Sequence, residues 1–162
     1  MEDDFLEIVQ SIADTLTRRG MTLALAESCT GGYIANAVTD LPGASGFFIL
    51  GVVSYSSGSK ESVLGVSAED LDKFGTVSAE TASAMARKVR DLSGATLGLS
   101  TTGVAGPDTV EGKEKGLVYI AVAYEGHLNE KMLRLSGDRQ EIKRTASLEA
   151  LRFLRGVLDS WE

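Results

Sequence analysis

Residues 21–32 read MTLALAESCTGG. Met21 to Ala26 form a short apolar run of the kind that fills a strand buried on both faces. Glu27-Ser28-Cys29-Thr30 break that run and Gly31-Gly32 permit a tight turn. Tyr33 to Asp40 then carry a helical pattern that stops at Leu41-Pro42-Gly43. Strand, glycine-bearing loop and helix in that order open a parallel α/β unit.

The flanking sequence extends the same alternation. Upstream, Phe5, Ile8, Val9, Ile12, Ala13 and Leu16 recur on one stripe of an amphipathic helix, begun by Asp4 and Glu7 and closed by Arg18-Arg19-Gly20. Downstream, Phe47 to Tyr55 (FFILGVVSY) predicts a second interior strand, ending in Ser56-Ser57-Gly58-Ser59-Lys60. Short helices are expected over Lys60–Leu64 and Ala68–Phe74, the latter capped by Ser67 with Asp70 three residues on. Ser78 starts a longer helix with Ala82, Met85, Ala86, Val89 and Leu92 on its inner face and Gly94 past its end. Ala95–Ser100 predicts a third strand. After the polar loop Asp108–Lys115, Gly116–Tyr124 and His127–Leu135 predict an antiparallel hairpin turned by Glu125-Gly126. Asp138 with Glu141 opens a last helix whose Ile142, Ala146, Ala150, Leu151, Leu154 and Leu158 face the core. The expected fold is an α/β protein: a three-layer α/β/α sandwich around a mixed, mostly parallel sheet with an antiparallel hairpin, in one domain over residues 1–162.

Composition bounds the function. The chain has 162 residues, 43% of them hydrophobic, and a formal net charge of −7 from 16 basic and 23 acidic side chains. A domain of this length buries about 68–70% of its unfolded surface, so it needs no staples. Its single cysteine allows no intrachain disulfide. No apolar run approaches the roughly 20 residues of a membrane span, and the N-terminal MEDDFLEI is acidic where a signal peptide is basic. The acidic balance disfavours nucleic acid and anionic lipid as partners. A cytoplasmic protein acting on a small molecule is expected.

In open α/β sheets, ligands gather at the carboxyl ends of the parallel strands. Three segments leave such ends here: Glu27–Gly32, Tyr55–Lys60 and Thr101–Pro107. Ser28 and Cys29 are both possible nucleophiles, although Ser28 would equally serve as a helix cap and Cys29 as a small buried hydrophobe. Thr30-Gly31-Gly32 opening a helix would direct free N–H groups toward Ser28. The only histidine, His127, sits by the predicted hairpin turn, far from Ser28. Lys60, desolvated in its glycine-serine setting, is the better candidate base, and Tyr55 could relay or orient a proton. Other motifs fail. Gly106 to Lys113 is one residue too long for a P-loop, with Glu114 where Ser or Thr must stand. No GxGxxG, GxSxG or zinc-binding Cys/His cluster occurs, and Ser57-Gly58-Ser59-Lys60 matches SxxK without its partner motifs. No cofactor or metal is implied.

Taken together, AESCTGG at 26–32, GVVSYSSGSK at 51–60, TTGVAGP at 101–107 and SGDR at 136–139 resemble the CinA C-terminal domain family, in matching order across nearly the whole chain. The resemblance implies hydrolysis of the carboxamide of nicotinamide mononucleotide to nicotinate mononucleotide and ammonia, without an essential metal. The family's serine, tyrosine and lysine fall on Ser28, Tyr55 and Lys60, with Lys60 taking the Ser28 proton and Tyr55 assisting that transfer or donating to the leaving ammonia. The implied substrate-binding set is Glu27, Cys29, Thr30, Gly31, Gly32, Thr102, Gly103, Gly106 and Arg139. Within it, amides near Cys29–Gly32 would receive the oxyanion, and Thr102, Gly103, Gly106 and Arg139 would hold the phosphate. Gly31, Gly32, Gly58, Gly103 and Gly106 would floor the site. The chain departs from the family pattern at Ser57 in place of asparagine, at Asp108-Thr109-Val110-Glu111 in place of further glycine, and at Lys143 in place of arginine. If turned inward, the Asp108 and Glu111 carboxylates would oppose an anion. Many members also carry an N-terminal molybdopterin-cofactor-binding-like domain with a pyrophosphatase role, which residues 1–162 do not contain. A homodimer is expected. The alternative reading is a nucleotide- or partner-binding module of the competence/damage-inducible CinA type, without turnover.

Overall fold

A computed structural model describes residues 2–161. A first helix, α1 (Glu2–Arg19), leads into β1 (Leu23–Glu27), α2 (Tyr33–Thr39) and β2 (Phe48–Val53). A short α3 (Ser57–Ser59) runs on into a π-helical turn (Lys60–Leu64), followed by α4 (Ala68–Phe74) and α5 (Ala79–Ser93). The chain closes with β3 (Leu97–Gly103), β4 (Leu117–Tyr124), β5 (His127–Arg134) and α6 (Arg139–Ser160).

The sheet order is β2-β1-β3-β4-β5. β1 pairs in parallel with both β2 and β3, while β4 is antiparallel to β3 and forms the expected hairpin with β5. β1 is buried along its whole length because both of its faces are covered. Leu23 and Leu25 join the core under α1, α2 and α6, whereas Ala24 and Ala26 join the core under α5. Small residues predominate on the α5 side of the centre: Ala82 and Ala86 pack on Ala121 and Ala123. There a Cβ on Gly98 would overlap the Ala86 carbonyl oxygen, so glycine is required for the helix to lie this close. This is the expected three-layer sandwich.

Helix starts follow local chemistry. Ser67, Ser78 and Asp138 each accept a hydrogen bond from the amide three residues on, and Asp138 and Glu141 complete a capping box.

Two expectations fail. β2 is an edge strand rather than an interior one, and burial alternates along it, with Ile49, Gly51 and Val53 outward. Its apolar run reads like that of β1, but sheet order is decided by connections distant in sequence. Leu92 is 54% exposed rather than inward, because it lies in the last turn of α5, where Gly94 ends the helix.

Candidate active site

The carboxyl ends of β1, β2 and β3 meet around a pocket of about 350 Å³. Ser28 and Cys29 line it from the β1 end, Tyr55 and Lys60 from beyond β2, and Thr102, Gly103 and Gly106 from the β3 end.

Lys60 reaches this pocket through the core. Ser56 and Ser59 form a reciprocal capping box that starts α3, and the helix widens at once into the π-turn, whose first residue is Lys60. Such widened turns recur at functional sites because they re-aim one side chain. The outcome is a lysine only 1% exposed. Its Nζ donates to Ser28 Oγ at 2.9 Å, to the Ser54 carbonyl at 2.7 Å and to the Tyr55 carbonyl at 3.5 Å.

Among the described residues, no carboxylate pairs with this ammonium. Burial lowers the Lys60 pKa to about 8, against the smaller opposing pull of charge at Cys29 and Glu111. Burial also pushes the Cys29 thiol up to about 12, so near neutrality Cys29 is uncharged and offers Lys60 no counter-ion. Cys29 is therefore a protonated thiol, whereas Ser28, 6% exposed, already touches a lysine able to take its proton.

Glu27 has a structural post rather than a place on the pocket wall. It is buried, and its two carboxylate oxygens accept from the amides of Ile34 at 3.0 Å and Ala35 at 2.9 Å. Thr30 Oγ1 donates to the same carboxylate at 2.6 Å and meets Thr101 Oγ1 at 2.8 Å. The N-cap of α2, Gly32, has no side chain to satisfy these amides, so Glu27 does it from the preceding strand. This corrects the expectation of a free helix end facing Ser28: its amides are occupied by Glu27. Thr30 is fully buried, the Gly31 amide donates to the Ser28 carbonyl, and neither Gly31 nor Gly32 lines the pocket. Of the expected oxyanion segment only Cys29 remains on the wall. Gly58 is not there either.

Tyr55 is 55% exposed, and its hydroxyl oxygen accepts from Arg139 Nη2 at 2.6 Å. That hydroxyl has no bond to Ser28 or Lys60, which corrects the expected assistance to proton transfer between them. Arg139 also donates to the Gly106 carbonyl, tying α6 to the loop after β3. Thr102 Oγ1 is engaged with the Thr76 carbonyl at 2.6 Å. Gly103 is needed for strand approach, since a Cβ there would come within 2.7 Å of the Leu117 carbonyl oxygen.

The Asp108–Lys115 loop straps the pocket. Glu111 accepts from the amides of Thr76 and Val77 at 2.9 and 3.1 Å, and Lys113 donates to the Val77 carbonyl. Partial burial would raise the Glu111 pKa, but these bonds outweigh it and the net shift is downward. The Glu111 carboxylate is thus turned onto the connection between α4 and α5, while Asp108 lines the pocket. Ser54 was not legible as a site residue, because it acts through its backbone carbonyl. His127 stacks on Tyr124 at 6.2 Å beside Trp161 and has no place at Ser28.

The profile of the CinA C-terminal domain matches residues 6–158. The chain belongs to the CinA C-terminal domain family. Among solved structures of the family, the competence damage-inducible protein A of Klebsiella pneumoniae superposes with a TM-score of 0.95 at 33% identity, covering 98% of this chain and 99% of that one. The competence/damage inducible protein CihA of Agrobacterium tumefaciens gives 0.91 at 34% identity, covering 96% of each. A relative in Caldanaerobacter subterraneus, named for competence-damage induction, is 48% identical over 154 residues, which are 94% of this chain and 37% of its own length. The chain thus spans little more than a third of the curated CinA-type relatives it matches. Among the described residues, no helix is long and apolar enough to cross a membrane.

Proposed function

We propose that this CinA-family chain is a serine amidohydrolase that converts the carboxamide of nicotinamide mononucleotide to a carboxylate. The observation that carries this reading is the 2.9 Å contact between Lys60 Nζ and Ser28 Oγ inside the pocket.

With a pKa of about 8, roughly one-tenth of Lys60 is neutral at pH 7. Neutral Lys60 takes the Ser28 proton as Oγ bonds to the amide carbon. The amide of Cys29, a pocket-lining residue and the first after the nucleophile, is the donor this mechanism assigns to the oxyanion, a contact worth about 3–4 kcal/mol. Collapse breaks the carbon–nitrogen bond, and Lys60 returns its proton so that ammonia leaves. Water then adds to the Ser28 ester with Lys60 again as base, releasing nicotinate mononucleotide and restoring Ser28. The Tyr55 hydroxyl, whose oxygen is held by Arg139, keeps its proton for a substrate or leaving-group atom.

A homodimer belongs to the same reading. The β2 edge carries no charged residue and leaves Ile49 and Val53 half exposed, whereas the other edge, β5, carries Glu130, Lys131 and Arg134.

The test is ammonia release from nicotinamide mononucleotide by the purified chain. Release with stoichiometric nicotinate mononucleotide is expected. Binding without release would favour the module reading.

A further inference from the structure

A second cavity, of about 820 Å³, lies between the start of α2 and the first turns of α6, bordered by Tyr33, Gly137, Lys143 and Arg144. It is more than twice the volume of the catalytic pocket and shares no residue with it.

Its charged groups differ in how they are engaged. The acidic ones, Asp138 and Glu141, are turned onto the α6 backbone: Asp138 Oδ1 accepts from the Glu141 amide at 2.9 Å, and Glu141 Oε2 accepts from the Asp138 amide at 2.8 Å. The basic ones are not engaged. Among the described residues, neither Lys143 nor Arg144 has a carboxylate partner, and Arg144 Nε is buried with no hydrogen-bond partner. A buried donor without an acceptor is destabilising, and an arriving acceptor would relieve that cost.

Lys143 faces the nucleophile loop. Its Nζ lies 3.5 Å from where a Cβ on Gly31 would stand, and its charge reaches the Cys29 thiol. By contrast, Thr102 spends its one hydroxyl proton on the Thr76 carbonyl, and Arg139 is held in place by bonds to the Tyr55 hydroxyl and the Gly106 carbonyl.

We propose that this cavity is a phosphate subsite, in which Lys143 and Arg144 hold the phosphomonoester of the nucleotide whose carboxamide reaches Ser28. The inference rests on the amidohydrolase reading for the identity of the nucleotide. It makes the side chains of α6, rather than the loop after β3, responsible for choosing a nucleotide over a nucleoside. A guanidinium and an ammonium suit a phosphate dianion in complementary ways, as a planar fork and as a point charge.

Isothermal titration calorimetry on a Ser28→Ala form of the full chain tests this without turnover. Nicotinamide mononucleotide is expected to bind at least about tenfold more tightly than nicotinamide riboside. Lys143→Ala and Arg144→Ala should each bring that ratio close to one, with riboside affinity unchanged within about twofold, while Lys143→Arg retains it. Inorganic phosphate should compete with the mononucleotide and not with the riboside. A ratio indifferent to both alanine substitutions overturns the proposal, as does phosphate that binds without displacing the mononucleotide, which would mark a separate anion's site. A chain that keeps the Lys143-dependent ratio but releases no ammonia retains the subsite and loses the amidohydrolase.

Discussion

Lys60 Nζ lies 2.9 Å from Ser28 Oγ, across 32 residues of sequence, with no carboxylate paired to it among the described residues. A histidine-based site places its base by a third, anionic group. Here the base is placed by two backbone carbonyls, those of Ser54 and Tyr55, which orient the amine without stabilising its charged form as a carboxylate would.

The pH dependence follows in sign from this arrangement. Lys60 acts in its neutral form, and burial holds its pKa near 8. Below that value the neutral fraction falls tenfold per unit, so kcat/KM should climb steadily as pH rises and flatten above about 8. The profile is best recorded with nicotinamide riboside, whose lack of a phosphate removes a competing titration. A profile flat from pH 6 to 9 would remove Lys60 as the base.

Glu27→Gln should act through stability. The carboxylate accepts from Ile34, Ala35 and Thr30, and an amide replaces one of its acceptor oxygens with a donor facing an N–H. A loss of about 2 kcal/mol is expected, a fall in Tm of about 4–8 °C in a chain of this size. Differential scanning calorimetry reads it directly, and an unchanged Tm would mean that α2 is not held from β1.

Tyr55→Phe separates chemistry from stability. The ring is more than half exposed, so unfolding free energy should change by less than about 0.5 kcal/mol. Without the hydroxyl that Arg139 holds, kcat/KM should drop about 10- to 100-fold. Retention of the full rate would leave Tyr55 no part in proton delivery.

Ile49→Lys combined with Val53→Lys charges an edge strand that has no charge of its own. Light scattering should give twice 17.1 kDa for the unaltered chain and a single chain mass for the double variant. Equal masses would remove β2 from the interface.

The sequence made the layers legible where signals are local. The Asp138–Glu141 box, the Ser67 and Ser78 caps and the apolar run of β1 each depend on neighbours within a few residues, and each stands where expected. Ser28 and Lys60 could be chosen because the only histidine was too far along the chain to serve. Three features were not legible. The carboxylate of Glu27 reaches amides seven and eight residues on, a spacing outside any capping pattern, so it read as a ligand contact. The Tyr55 hydroxyl is fixed by Arg139, 84 residues away, and no local pattern announces that pair. The glycines at 31 and 32 looked like an anion cradle because sequence shows a turn but not which amides are already taken.

The nucleophile is the central claim, and the initial rate of ammonia release from nicotinamide mononucleotide by Ser28→Ala, with Cys29→Ala beside it, tests it most directly. Ser28→Ala should fall by at least about 10³-fold while Cys29→Ala keeps most of the rate. A Ser28→Ala chain that releases ammonia at the unaltered rate, or a Cys29→Ala chain that releases none, would contradict the Ser28–Lys60 mechanism.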